Sequence, residues 1–162
     1  MSAIGSYAVL NRAKFPICLA KAQEIHNETT GWWIFKTTQT VGLEAFHQAW
    51  RDALVAEVPF DYSGYVLGNY LGVQQEINAL ELFDEQSEIG RALSKTFTAA
   101  FVFDAPPSPP PLVPDRLLAY CRDEYGSEDA SDMVDAIQAA DAFYHRGFEA
   151  ITADNLVVFL IQ

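Results

Sequence analysis

The sequence is short of positive charge and of cysteine. It has 10 lysines and arginines against 22 acidic residues, which gives a formal net charge of -12. Nucleic acids and anionic lipids bind proteins mainly through Lys and Arg, so we expect neither as a partner. The two cysteines, Cys18 and Cys121, are too few for a disulfide framework and are typical of reduced thiols.

Long hydrophobic runs are absent as well. The longest run, at positions 156–161, is far shorter than the roughly 20 residues that a membrane-spanning helix needs. Near the start of the chain, Asn11, Arg12 and Lys14 interrupt the apolar stretch that an export signal would require. We therefore expect a cytoplasmic protein that does not bind membranes.

The motifs of the common enzyme classes are also missing. The sequence has no phosphate-binding Gly-rich loop, no dinucleotide fingerprint, no Gly-x-Ser-x-Gly, no Cys-x-x-Cys and no His-Glu-x-x-His. Such absences exclude only the classes that require these motifs. They favour a protein that is not an enzyme and has no metal or cofactor.

The chain does contain enough apolar material for a folded domain. Half of its 162 residues are apolar, and they include 11 Phe, 7 Tyr and 3 Trp. We expect a single domain over residues 1–162 with one hydrophobic core. The Pro-rich segment 105–114 is expected to run over the surface of that domain without dividing it.

The apolar pattern predicts an α+β fold. Strands are expected at positions 2–10, 32–35, 96–103 and 156–161. Helices are expected at positions 11–26, 43–55, 63–78, around 89–93, 114–126 and 131–150. Strands at both ends with helices between them indicate one mixed β-sheet that includes both terminal strands and carries four to six helices.

The predicted helix 63–78 contains two glycines. Its apolar stripe on a helical wheel consists of four residues, Val66, Tyr70, Val73 and Ile77. Gly68 and Gly72 lie nearly opposite, although each glycine costs a helix about 1 kcal/mol relative to alanine. We therefore expect close packing against these glycines, either within a monomer or across a homodimer.

Two pairs of residues have spacings found in catalytic or metal sites. Glu44 and His47 have the Glu-x-x-His spacing of di-iron helices, but the motif occurs once and His47 is better explained as a hydrogen-bonded residue at the core edge. Asp141 falls within the apolar stripe of the last helix, and His145 lies one turn on. An Asp-His pair serves as a general base in some enzymes, whereas a buried carboxylate also fastens helices by hydrogen bonds. Both interpretations of Asp141 and His145 remain open.

A tyrosine-rich segment predicts a binding surface. Its candidate residues are Asp61, Tyr62, Tyr65 and Asn69, around the start of the helix 63–78. From position 61 onward 17 acidic residues accompany five basic ones, whereas the first 60 residues have five of each. We expect a basic protein partner, as for an immunity protein that neutralises a toxin; the alternative is an enzyme or small-ligand binder that uses Asp141 and His145.

The two ends of the chain resemble a known family. The segments 1–7, 142–147 and 156–160, with the sequences MSAIGSY, AFYHRG and LVVFL, are similar to the YfbM-like bacterial proteins. Positions 61–71, DYSGYVLGNYL, resemble a second group of uncharacterised bacterial proteins. Neither group has an assigned activity. The resemblance implies a small bacterial cytoplasmic α+β protein and transfers no catalytic residue.

Overall fold

A computed structural model describes residues 3–31, 37–78, 88–106, 114–125 and 130–162. The strands are β1 (Ile4–Asn11), β2 (His26–Thr30), β3 (Thr37–Val41), β4 (Leu54–Ser63), β5 (Ala99–Phe103) and β6 (Asn155–Ile161). The helices are α1 (Phe15–Glu24), α2 (Leu43–Ala53), α3 (Gly64–Asn78), α4 (Glu88–Leu93), α5 (Pro114–Tyr125) and α6 (Ala130–Glu149).

The main sheet has four strands in the order β4-β1-β6-β5. Its two central strands come from opposite ends of the described chain, and Tyr7 of β1 pairs with Phe159 of β6. The predicted α+β fold, with both terminal strands in one sheet, is confirmed. The sheet was expected to be mixed, but all its pairings are antiparallel. Apolar patterns indicate which segments are strands and carry no information about their direction.

Both faces of the central strands are buried. Along β1, Tyr7 and Val9 point to one face, whereas Ala8 and Leu10 point to the other. Helices α3, α5 and α6 cover the first face and form the α3/α6 core, whereas α1, α2 and α4 cover the second and form the α1/α2 core. The expectation of a single core was therefore wrong, because the sheet separates two.

Eight aromatic rings dominate the α3/α6 core: Tyr7, Phe60, Tyr70, Phe103, Phe143, Tyr144, Phe148 and Phe159. The fully buried Phe159 lies at their centre, with five ring centroids between 5.6 and 6.1 Å from its own. Most of these pairs are edge-to-face, the arrangement that aromatic quadrupoles favour. This β6 side chain thus holds residues of β1, β5 and α6 together.

The helices α1, α2, α5 and α6 lie close to the predicted positions. Among the α3 side chains whose burial is described, up to position 74, the buried ones are Leu67, Tyr70, Leu71 and Gln74, and only Tyr70 belongs to the predicted stripe. The side chain of Ile77 lies outside the described residues. Val66 and Val73 are only partly buried against the α3/α6 core. The helix contacts β1, β4, β6, α5 and α6, so its orientation follows these neighbours rather than its own apolar stripe.

Strand β4 was not predicted. It follows α2 directly and pairs with β1, and most of its side chains are exposed. Pro59 lies within it, and proline in sheets is confined mainly to edge strands and bulges. Because β4 is an edge strand, apolar and polar residues alternate only weakly along it, and it lacks the apolar pattern of a buried strand.

The β2-β3 hairpin was not predicted either. All ten of its residues are exposed, and pairs of polar side chains such as Thr29 and Thr38 face each other across it. A hairpin without an apolar face gives no periodic signal. The predicted strand 32–35 and most of the Pro-rich segment lie outside the described residues.

Lys95 joins the end of α4 to the end of α1. Its ammonium group donates to the carbonyl oxygens of Ala22, Gln23 and Ile25 at 3.2, 2.9 and 2.8 Å. A cation at a helix C-terminus satisfies carbonyls that have no partner within the helix and interacts favourably with its dipole. The contact fixes the end of α4 to the end of α1, on the same face of the sheet.

Among the described helices, none is long and apolar enough to cross a bilayer.

Close packing occurs at glycines other than the expected ones. A Cβ on Gly147 of α6 would lie 2.4 Å from Cζ of Phe159, so only glycine allows α6 to approach β6 this closely. A Cβ on Gly68 would make an ordinary contact with Ile161 at 3.7 Å, and one on Gly72 would meet no described atom within 4 Å. The expectation of tight packing at Gly72 is therefore wrong for the described part of the chain.

These two sites predict opposite effects of the same substitution. Gly147→Ala should destabilise the protein by about 1–3 kcal/mol, because the caged ring of Phe159 has no room to move. Gly72→Ala should stabilise it by about 0.5–1 kcal/mol through helix propensity. Urea unfolding measures both. A Gly147→Ala variant as stable as the wild type would contradict the packing described at Phe159.

Candidate functional site

The predicted binding residues meet where β4 ends and α3 begins, which we call the β4-α3 corner: Asp61, Tyr62, Tyr65 and Asn69. Tyr62 and Tyr65 are 44% and 57% exposed, and Asp61 is exposed as well. Asn69 is half-buried one turn after Tyr65. Tyrosine is enriched among the residues that contribute most to protein–protein binding, so the corner is the best candidate for recognition.

The backbone of this corner is held rigidly. Gly64 donates its N–H to the carbonyl of Ala3 at 2.8 Å, and a Cβ on Gly64 would lie 2.7 Å from the carbonyl carbon of Ile4. Only glycine permits this contact between α3 and β1. The Tyr62 ring lies 5.7 Å from the buried Phe60, and the Ser63 hydroxyl accepts from the N–H of Tyr65 at 3.3 Å. The two exposed tyrosines therefore project from a fixed frame.

Asp141 links α6 to α3. Its Oδ1 accepts a short hydrogen bond from the hydroxyl of Tyr70, which is almost completely buried. Burial raises the pKa of Tyr70 well above its ordinary value, and the hydrogen bond to Asp141 raises it further, whereas one with Gln74 acts in the opposite direction. Tyr70 thus remains a hydrogen-bond donor across the physiological range. The contact is that of a carboxylate that fastens two helices.

His145 lies beside this pair but does not complete it. Its Nε2 is 3.6 Å from Oδ1 of Asp141, beyond hydrogen-bond distance, and the two side chains are 45% and 22% exposed. Asp141 and His145 are therefore neighbours that solvent reaches. The distance is too long for an oriented general base in this conformation.

Tyr144 adds a buried hydroxyl that has no hydrogen-bond partner among the described residues. Its side chain is fully buried, and no residue in the described part of the chain hydrogen-bonds its oxygen. Burial raises the pKa of Tyr144, and the charge of Asp141 raises it further. A buried hydroxyl without a partner destabilises a fold by about 1–3 kcal/mol.

His47 is on the other side of the sheet. It is exposed on α2, as is Glu44, and its ring lies 5.9 Å from that of Phe46. Since α2 covers the second face of the sheet and α6 the first, His47 cannot act together with Asp141 and His145. Within the described ranges, no three His, Cys, Asp or Glu side chains form a metal-binding group.

Cys18 is a buried thiol of the α1/α2 core. Its Sγ donates to the carbonyl of Ala49 at 3.2 Å. Burial, with a smaller effect of Asp52, raises its pKa from 9.0 to about 11. Because the thiolate is the reactive form, Cys18 is an inert core residue.

Sequence reasoning missed several features of these sites. It did not identify Tyr70 as the partner of Asp141, since their separation of 71 residues is bridged only by the tertiary fold. It also missed the close contact of Gly64 with Ile4, because the two residues are far apart in sequence. The tyrosines Tyr62 and Tyr65 were singled out because the segment is rich in tyrosine.

Two tyrosine substitutions separate these contacts. Tyr70→Phe should lower the free energy of unfolding by about 1.5–3 kcal/mol, because it removes a hydrogen bond to a carboxylate. Tyr144→Phe should raise it by about 1 kcal/mol, because it removes a buried hydroxyl without a partner. Chemical denaturation of both variants tests this, and equal effects would refute the assignment of the hydrogen bond to Tyr70.

The Cys18 thiol predicts a pH dependence. Its folded pKa of about 11 exceeds the ordinary value of 9.0, so this contribution to stability is complete below pH 9 and is lost as the pH rises through 11. Because the Cys18 thiol is also buried, iodoacetamide should modify it at pH 8 in a Cys121→Ser variant only as fast as the protein unfolds. Modification in buffer as fast as in urea would show that the thiol is accessible.

Comparisons with protein-family models, with curated proteins and with solved structures found no match. The resemblance of the chain ends to the YfbM-like proteins thus stays a prediction. The arguments about function rest on the geometry above.

Proposed function

We propose that this chain is a non-enzymatic protein-binding module that recognises a basic partner through the β4-α3 corner. The observation that carries the proposal is the exposure of Tyr62 and Tyr65, 44% and 57%, on a backbone fixed by Gly64. The module is bacterial and cytoplasmic in this proposal, and an immunity-type protein that covers the basic surface of a toxin is the kind of function it fits.

Rigid tyrosines support this function energetically. A tyrosine has few rotatable bonds, so it loses little conformational entropy when it is buried in a complex. It also brings a large apolar ring and a hydroxyl that hydrogen-bonds at the rim. Two such side chains beside the carboxylate of Asp61 form the centre of a binding surface of the usual composition.

The charge distribution supports a basic partner. The net charge of -12 arises entirely from residues 61–162, where the corner begins. An acidic surface attracts a basic protein over long distances and raises the association rate, an effect that salt suppresses. The same charge repels nucleic acid and anionic membranes.

Tyr65→Ala tests the proposal. A protein captured by the wild type from the native host at low salt should bind the variant at least tenfold more weakly, because hot-spot aromatics contribute about 2 kcal/mol or more. Isothermal titration with the purified partner gives the affinity, and a rise in salt should slow association.

Val55→Ala provides the matched control. Val55 is 58% exposed, much as Tyr65 is, but it lies at the far end of β4, seven residues before Tyr62 and so about 23 Å along the strand from the corner. The control substitution should leave the affinity for the captured partner unchanged. Capture of nothing above background, or equal losses from both substitutions, would contradict the proposal.

A second candidate is a small-ligand binder or enzyme centred on Asp141 and His145. The observation in its favour is that solvent reaches both side chains, 3.6 Å apart. Binding of a small molecule that Asp141→Asn abolishes and Tyr65→Ala leaves intact would favour this candidate over the first.

A further inference from the structure

The first turns of helix α1 are apolar on their outer side as well as on their inner side. Phe15, Cys18 and Ala22 are buried in the α1/α2 core. On the outer side Pro16, Ile17 and Ala20 are exposed, and Ile17 leaves 56% of its surface in water. The last turn is polar, with Lys21 and Glu24, so the exposed apolar ridge is confined to the first turns of the helix. Its outer face is therefore a candidate for a second binding surface.

Grooves flank this exposed ridge. One groove, of about 450 Å³, runs between α1 and α2 and is lined by Ile17, Ala45 and Ala49 among others. We call it the α1-α2 groove. A second, of about 320 Å³, lies between Leu19 of α1 and Ile89 of α4. Small residues such as the two alanines, one turn apart on α2, allow the ridge of another helix to approach closely.

The α1-α2 groove is lined by two lysines. Lys14 and Lys21 line it together with one acid, Asp52, so the lining carries one excess positive charge, and Lys21 is also ion-paired with Glu24. The two lysines are seven residues apart on or next to α1, which corresponds to two turns, or about 10 Å along the axis. Ile17 lies between them.

We infer that the α1-α2 groove binds an acidic amphipathic helix of a partner protein. Two carboxylates seven residues apart on such a helix match the spacing of Lys14 and Lys21. Apolar side chains on the turn between them pack on Ile17 and on the alanines of α2. This is the helix-in-groove mode of recognition, with charge added at the rim.

A second copy of this chain fits the groove less well. A groove that receives a different surface of an identical chain makes a head-to-tail contact, which leads to open assemblies unless the rotation closes a ring. A separate partner avoids this difficulty, and its carboxylates can reach the two lysines that line the groove.

In the unbound protein, Glu24 occupies one of the two lysines that the partner helix would bind. Both of its carboxylate oxygens lie 2.9 Å from Nζ of Lys21. A carboxylate of the incoming helix has to compete with this ion pair. Removing the charge of Glu24 should therefore strengthen binding, whereas removing that of Lys21 should weaken it.

The experiment uses a helical peptide of about 16 residues with two glutamates seven residues apart and two leucines on the turn between them. A matched peptide has lysines in place of the glutamates. Titration of the isotope-labelled full chain, followed by NMR, should shift amides of α1 and α2. The glutamate peptide should bind at least tenfold more tightly than the lysine peptide, and high salt should reduce the difference.

Variants locate the contact. Glu24→Gln should tighten binding about two- to fivefold and Lys21→Gln should weaken it by a similar factor, as expected for an exposed ion pair. Ala45→Gln, at an exposed helix position, should fill the groove and abolish binding while the NMR spectrum stays that of a folded protein. Arg122→Gln on α5 removes an exposed positive charge on the other face and should change nothing.

Three results would overturn the inference. The first is equal binding of the two peptides. The second is no shift in α1 and α2 when either peptide is added. The third is sedimentation showing that the chain self-associates and that Ile17→Glu abolishes the association, because the groove would then be occupied by a second copy.

Discussion

The pairing of β1 with β6 is the constraint on which the rest of the structure depends. These strands come from opposite ends of the described chain and lie side by side in the centre of the sheet. Their alternate residues supply both cores, with Phe159 in the α3/α6 core and Val158 in the α1/α2 core. A shift in register by one residue would exchange these side chains between the cores, so this one pairing determines the packing of both helical layers.

The two candidate binding surfaces follow from this arrangement. The β4-α3 corner belongs to the layer of α3 and α6, and the α1-α2 groove belongs to the opposite layer. The sheet between them is packed with side chains on both faces, which keeps the surfaces apart. Asp61 accompanies the tyrosines of the corner, whereas Lys14, Lys21 and Asp52 line the groove. In our two proposals, a basic partner binds the corner and an acidic helix binds the groove.

Much of the fold was predictable because its buried elements have strong patterns. The segment around Phe159 is apolar throughout and was recognised as a fully buried strand. The sequence did not reveal β4, whose Pro59 and exposed residues are typical of an edge, or the hairpin of β2 and β3, which has no apolar face. The corner tyrosines were predicted from composition, but the hydrogen bond from Tyr70 to Asp141 and the tight contact at Gly147 arise only when distant segments meet. Contacts of that kind have no local signal.

Native-state hydrogen exchange tests the central role of the β1-β6 pair most directly. If the pair holds both layers, the amides of Ala8 and Val158 should exchange only through global unfolding, with the free energy that denaturant titration gives. The amides of the exposed β2-β3 hairpin should exchange far faster. Exchange of Val158 with a free energy well below the global value, while amides of α1 or α6 stay protected, would contradict the account.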